Sequence, residues 1–273
     1  MPKAAYVDVH AHLTDPRFGD DLDQVVARAE AAGLDAIIVN GLEPQSNRAV
    51  LAMANRHRIV KPALGIYPID AVCDRLPPGL PFPVARFDIE AELGAIEAAA
   101  AAGLLAAIGE CGLDGHWVGQ ETFPRQDEVF ERLIHIAQTH ALPLIIHTRK
   151  LEERAASILR NQRVTRVNFH CFGGRTAWAK RWAEEDGWWF SIPANATVNE
   201  AFRKMLKTLP LERLLTETDC PYLPPRRGER NEPANVVGTV ALLAELRGMT
   251  VDEAATQVAT NFTTLFGSRW LQT

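Results

Sequence analysis

The stretch PRQDEVFERLIHIAQTHALPLIIH, Pro124 to His147, reads as one helix running into one strand. Val129, Phe130, Leu133, Ile134 and Ala137 repeat at helical spacing, and Pro124 suits a first helical position, where its missing N–H costs nothing. The apolar run at 144–147 then reads as a short β-strand that ends on a histidine.

Outward from this unit the same alternation recurs along the chain. β-rich runs fall at residues 5–9, 35–40, 61–65, 104–110, 144–147, 166–170, 188–192 and 214–219. Further amphipathic segments fall at 22–32, 45–58, 89–102, 152–161, 177–185, 199–206 and 234–246, with a last one at 251–266. Eight strands each followed by a helix predict an α/β fold, a (β/α)8 TIM barrel, occupying residues 1–273 as a single domain. An open doubly wound sheet is the alternative. The proline-rich segment 66–88 reads as a loop over one barrel face, and no linker or low-complexity block divides the chain.

Composition agrees with an ordinary globular protein, 47% hydrophobic and 23% charged over 273 residues. No apolar run approaches the ~20 residues of a membrane helix, so no membrane is expected as a partner. The first residues lead straight into a strand without a basic, apolar leader, and Cys73, Cys111, Cys171 and Cys220 form no CxxC pair; a reducing, cytoplasmic location is the expectation. The formal net charge of −5 argues mildly against a broad nucleic-acid-binding surface, although a local basic patch or bound metal ions could still hold phosphate. Nothing points to an obligate protein partner.

Chemistry gathers at the strand ends. In YVDVHAHL, Tyr6 to Leu13, alternate side chains share a face, so Asp8, His10 and His12 point one way. Glu110, His147, His170 and Asp219 close their own strand runs in LLAAIGE, PLIIH, RVNFH and RLLTETD. In a barrel the C-terminal strand ends form one face, so these residues would converge. Four imidazoles and two carboxylates suit two divalent ions, with Mg, Mn, Zn, Ni and Co all conceivable. Glu110 is the candidate bridge: His10, His12, Glu110 and Asp219 would surround one ion, and Glu110, His147 and His170 the other. A water between them, deprotonated near neutral pH, makes metal-assisted hydrolysis the expected reaction class. Asp219 has a second possible role in moving that water's proton.

Other residues read more plainly. Glu217 is expected to be a buried acid paired with a cation. Cys111, Cys171 and Cys220 each follow a candidate ligand, and alternation turns them toward packing. His57, His135 and His140 receive no role; His116 either rims the site or lies on the surface.

The ordered motifs DVHAHL, IGECGLD, PLIIHTRK, FHCFGG, LLTETDCPYLPP, RNEPANV and NFTTLFG resemble the TatD family of metal-dependent hydrolases, within the amidohydrolase superfamily. The resemblance runs from Asp8 to Gly267 and implies a TIM barrel with a divalent metal centre that hydrolyses phosphodiester bonds. It implies a deoxyribonuclease, often trimming single strands from the 3′ end, with DNA and in some cases RNA as partner. It implies the same six ligands. A glutamate at position 110, where many superfamily members carry a carboxylated lysine, favours the TatD branch.

Three positions depart from the family pattern. GIYP places Tyr67 where a histidine is usual near the substrate, FHCFGG places Gly173 where serine is common, and GLDGHW lacks the usual aromatic after GLD. Arg149 and Tyr67 are the substrate-contact candidates, with Arg226, Arg227 and Arg230 as weaker cationic ones. Asn231 is expected to cap the following helix. Two rival readings remain: hydrolysis of a small phosphoester, amide or lactone at the same centre, and a metal-stabilised binding protein without catalysis.

Overall fold

Eight parallel strands, hydrogen-bonded in sequence order, make one sheet in the computed structural model, which describes residues 5–76 and 79–271. They are β1 (Tyr6–Ala11), β2 (Leu34–Asn40), β3 (Val60–Leu64), β4 (Ala107–Asp114), β5 (Leu144–Arg149), β6 (Val167–His170), β7 (Trp189–Ile192) and β8 (Leu214–Thr216). Helices α1 (Leu22–Ala32), α2 (Pro44–Arg56), α3 (Ile89–Ala101), α4 (Phe123–Thr139), α5 (Glu152–Asn161), α6 (Thr176–Glu185), α7 (Glu200–Thr208) and α8 (Val236–Arg247) each follow one strand, and α9 (Val251–Phe266) comes last. The order is that of the expected TIM barrel.

Closure excludes the open sheet. Beyond β8 the chain returns to β1: Asp219 N–H donates to His10 O at 2.9 Å, His12 N–H to Cys220 O at 2.8 Å, and Ala11 bridges Cys220. Thr216 Oγ1 donates to Val7 O at 2.9 Å in the same seam. The buried aliphatic and aromatic side chains of strands and helices join in one core. Burial, not propensity, holds the helices: α4 turns Val129, Phe130, Leu133, Ile134, Ile136 and Ala137 inward, as the periodicity predicts. Among the described residues no single helix is long and apolar enough to cross a membrane.

Strand limits differ from the sequence reading in ways that matter for the site. β1 runs on through His10 to Ala11. β4 starts at Ala107 and continues past Glu110 to Asp114: after a register shift between Ile108 and Cys111 it pairs with β5 again from Cys111 to Asp114, which lies opposite Arg149. β8 stops at Thr216, so Glu217 and Asp219 stand in the turn beyond it. The described part of the 66–88 segment follows the C-terminal end of β3 and packs on the β4–α4 loop. Its Ile69 and Val72 pack with Val118 from the β4–α4 loop, with Tyr67 and Trp117 alongside; Pro77 and Pro78 lie outside the described residues.

Candidate metal centre

The first strand delivers two imidazoles to one point. His10 Nε2 and His12 Nε2 lie 3.0 Å apart, both rings buried. Glu110 rises between them and a second pair: its Oε2 is 3.3 Å from His10 Nε2 and 3.4 Å from His12 Nε2. Its other oxygen, Oε1, is 3.0 Å from His147 Nδ1 and 3.1 Å from His170 Nε2. Asp219 Oδ1 completes the first side, 3.4 Å from His12 Nε2 and 3.7 Å from His10 Nε2. All six predicted ligands therefore meet. The two sides also touch, since the rings of His10 and His170 stack at 3.8 Å.

Backbone detail makes the crowding possible. Gly112 has φ +134°, and a Cβ there would fall 2.1 Å from His147 O, so only glycine lets β4 and β5 approach beside Glu110 and His147. Asp219 sits at φ +56°, a conformation uncommon outside glycine that turns its carboxylate back over the barrel mouth. Asp8, on the same strand face as His10, is fully buried and takes hydrogen bonds from Thr218 N at 3.0 Å and from the Thr218 hydroxyl.

The charges in this cluster are strongly displaced. Burial pushes Glu110 up, but His170 together with the rings of His10 and His147 outweighs it and holds the carboxyl well below the usual range. Burial, then His170, pulls His10 down to about 3. For Asp219 burial is again outweighed, here by His12 first, so the group stays a carboxylate. Burial would also lower His147, yet Asp114 and Glu110 raise it to about 9. The inward atoms that form three overlapping groups, His10–His12–Glu110, Glu110–His147–His170 and His10–His170–Asp219, lie within 4.8 Å of one another inside each group. Imidazole nitrogens and carboxylate oxygens gathered in one buried site fit divalent cations, which would displace the ring protons on binding.

Not every expectation survives. Glu217 is buried, and among the described residues no lysine or arginine pairs with it: Cys171 N–H donates to its Oε1 at 2.8 Å, the Ser191 hydroxyl donates to its Oε2, and the His170 ring lies 3.9 Å from Oε1. Burial, then the neighbouring Asp219, pushes its carboxyl well up, and the Ser191 hydroxyl and Cys171 N–H stand in for the expected cation. Arg230 is engaged by both Asp21 oxygens at 2.7 Å, and Arg226 by Glu229 at 3.4 Å. Asn231 caps no helix; its amide donates to Thr218 O at 2.8 Å and Tyr222 O at 2.7 Å and ties the loop after Asp219. Tyr67 and Arg149 do stand at the mouth. The Tyr67 ring packs 4.9 Å from that of His147, and the exposed Arg149 guanidinium lies 5.4 Å from the Trp117 ring. The backbone N–H of His116 donates to Asp114 Oδ1 at 2.7 Å. Cys111 packs inward with its thiol 3.7 Å from Ile145 O.

Sequence reasoning passed over Asp114. It is fully buried, and its Oδ2 lies 2.9 Å from His147 Nε2 and 3.5 Å from the Tyr67 hydroxyl. The signal available was proximity in sequence, because Asp114 closes the motif IGECGLD four places after Glu110.

Comparison with known proteins agrees with this geometry. The sequence profile of the family described as TatD related DNase matches residues 7–267. A Bacillus subtilis protein named as an uncharacterized metal-dependent hydrolase, YabD, is 33% identical over 268 residues, 95% of this chain and 98% of its own length. The 3′-5′ ssDNA/RNA exonuclease TatD of Enterobacter lignolyticus is 31% identical over 95% of this chain and 98% of its own. The crystal structure of YJJV, a TatD homolog from Escherichia coli, superposes with a TM-score of 0.82 at 28% identity, covering 96% of this chain and 98% of the other.

Proposed function

The chain belongs to the TatD-related DNase family, and from that premise we propose that it is a nuclease that removes nucleotides from the 3′ end of single-stranded DNA, and of RNA as well. The observation that carries the reading is Glu110, which turns one carboxylate oxygen to His10 and His12 and the other to His147 and His170. That arrangement supports a two-ion centre held by His10, His12, Glu110 and Asp219 on one side and by Glu110, His147 and His170 on the other. Bound divalent ions would supply Lewis acidity toward the phosphoryl oxygens and a water acidic enough to attack at neutral pH.

The protein's own groups do the rest. Asp219, its side chain 13% exposed at the mouth, takes the proton of the attacking water and returns it to the leaving 3′-oxygen. Arg149 grips a phosphate beside the one being cut, where a guanidinium can make two hydrogen bonds at once. The Tyr67 hydroxyl, kept neutral chiefly by burial and then by Glu110, donates to a substrate oxygen without titrating in the working range. The same proposal includes a cytoplasmic location, supported by four cysteines without disulfides.

Protein stripped of metal, incubated with 3′- and 5′-labelled single-stranded DNA and with Mg, Mn, Zn, Ni or Co in turn, tests this. Stepwise shortening from the 3′ end only with metal, and none for Glu110→Ala, is the expected result. Intact DNA with turnover of a small phosphoester would replace the nuclease reading.

A further inference from the structure

Tyr222 leaves a large ring in water beside the metal centre. The residue is 49% exposed, yet its ring centroid lies 6.2 Å from that of His12 at an interplanar angle of 78°. The other exposed large apolar side chains among the described residues, Leu104, Val198 and Val251, are aliphatic. Scattered exposure of that kind is ordinary.

What sets Tyr222 apart is how firmly it is held. The Arg17 guanidinium lies 4.3 Å from the ring centroid, over one face. Arg17 is itself forked onto Asp15, with Nε to Oδ1 and Nη2 to Oδ2 both at 2.8 Å. From beneath, Tyr222 N–H donates to Asp219 O at 2.9 Å, and the fully buried Asn231 amide donates to Tyr222 O at 2.7 Å. Fixing an aromatic side chain while leaving half of it wet costs conformational entropy and gains little apolar burial. The fold gains from that arrangement only the exposed Arg17 contact, whereas a flat apolar ligand would cover the ring.

We propose that the uncovered face of Tyr222 is a stacking platform for one base of a single-stranded nucleic acid, next to the phosphodiester held at the metal centre. The inference rests on the nuclease reading and adds where a base sits. Every base offers a π-face, so the platform holds a strand without selecting its sequence. Its position also assigns the base to one side of the site. Tyr222 stands against His12, while Tyr67 stands against His147, so the stacked nucleotide lies on the Asp219 side of the bond that is cut.

The test uses the metal-loaded protein and a fluorescent, cleavage-resistant phosphorothioate oligothymidylate, with affinity read by anisotropy. Tyr222→Ala is expected to weaken binding about 5- to 150-fold, the span of a single base–aromatic stack, whereas Tyr222→Phe keeps wild-type affinity within about two-fold. Abasic residues are then placed one at a time along the oligonucleotide. At one position the loss of the base should weaken the wild type and leave Tyr222→Ala unaffected. Equal affinities for wild type and Tyr222→Ala, or fully additive losses at every position, overturn the platform. Wild-type binding without cleavage of ordinary DNA removes the nuclease reading and leaves the platform standing. No binding by the wild type removes both.

Discussion

His147 is gripped by Asp114 on the side away from the metal centre, Nε2 to Oδ2 at 2.9 Å, while its Nδ1 lies 3.0 Å from Glu110 Oε1. The other Asp114 oxygen takes the backbone N–H groups of His116 at 2.7 Å and Trp117 at 3.3 Å, so the carboxylate cannot swing away. A carboxylate behind a ligating imidazole fixes its tautomer and keeps the inner nitrogen's lone pair free. Asp114→Ala should therefore lower metal affinity by roughly 10- to 100-fold. Competition with a chromophoric chelator measures it directly, and unchanged affinity would remove Asp114 from the centre.

Removing the shared carboxylate is expected to be more damaging than removing any one imidazole. Glu110→Ala deprives both sides of an oxygen and leaves His10, His12, His147 and His170 crowded together. Loss of several kcal/mol of transition-state stabilisation corresponds to a rate decrease on the order of 10³-fold. Metal content by mass spectrometry should fall with the activity, and a chelator should produce the same loss in the wild type.

Asp70 gives the metal-free protein a pH dependence of its own. It is buried, and burial first, then Glu43 and Glu110, raises its carboxyl from 3.8 to about 8. Below the unfolded value both states carry the proton; between there and about 8 the folded state alone does. Stability should therefore fall as pH rises through that window and level off above it. Urea unfolding of chelator-treated protein at pH 5 and pH 9 should show Asp70→Asn losing this slope, a contribution on the order of a few kcal/mol. Identical slopes for variant and wild type would contradict the raised value.

Gly112→Ala tests the close approach of β4 and β5. The new Cβ would lie 2.1 Å from His147 O, at a φ of +134° that favours glycine. Strain of this kind costs about 1–3 kcal/mol before the clash is counted. A lower urea midpoint together with weaker metal binding is expected, because relief of the clash displaces His147. A variant with wild-type stability and metal content would show that the strands have room.

Much of this was legible in the sequence because barrel strands and helices carry different periods and the six site residues sit near the same end of their five units. Where strands stop was less legible. β4 runs to Asp114 because its hydrogen bonds to β5 persist, a tertiary fact that no local signal encodes. The same limit applies to side-chain pairing. Arg230 reads as a free loop cation until Asp21, 209 positions away, closes on it. Glu217 reads as half of an ion pair because burial implies compensation, and only the fold reveals that a serine and a backbone N–H supply it. Asp114 and Tyr222 both lay within the motifs IGECGLD and LLTETDCPYLPP, yet their surroundings come from distant segments.

The seam between β1 and β8 has a consequence for biosynthesis. His10 and His12 leave the ribosome early, but Asp219 reaches them only when its N–H bonds to His10 O and the Ala11–Cys220 bridge forms. A nascent chain stalled before position 219 can offer a loose histidine pair to a cation, but not the finished cage. With the ligand set proposed above, Asp219 would arrive last, so metal uptake should coincide with completion of the fold and a bound centre would mark a chain made through to the end of its barrel.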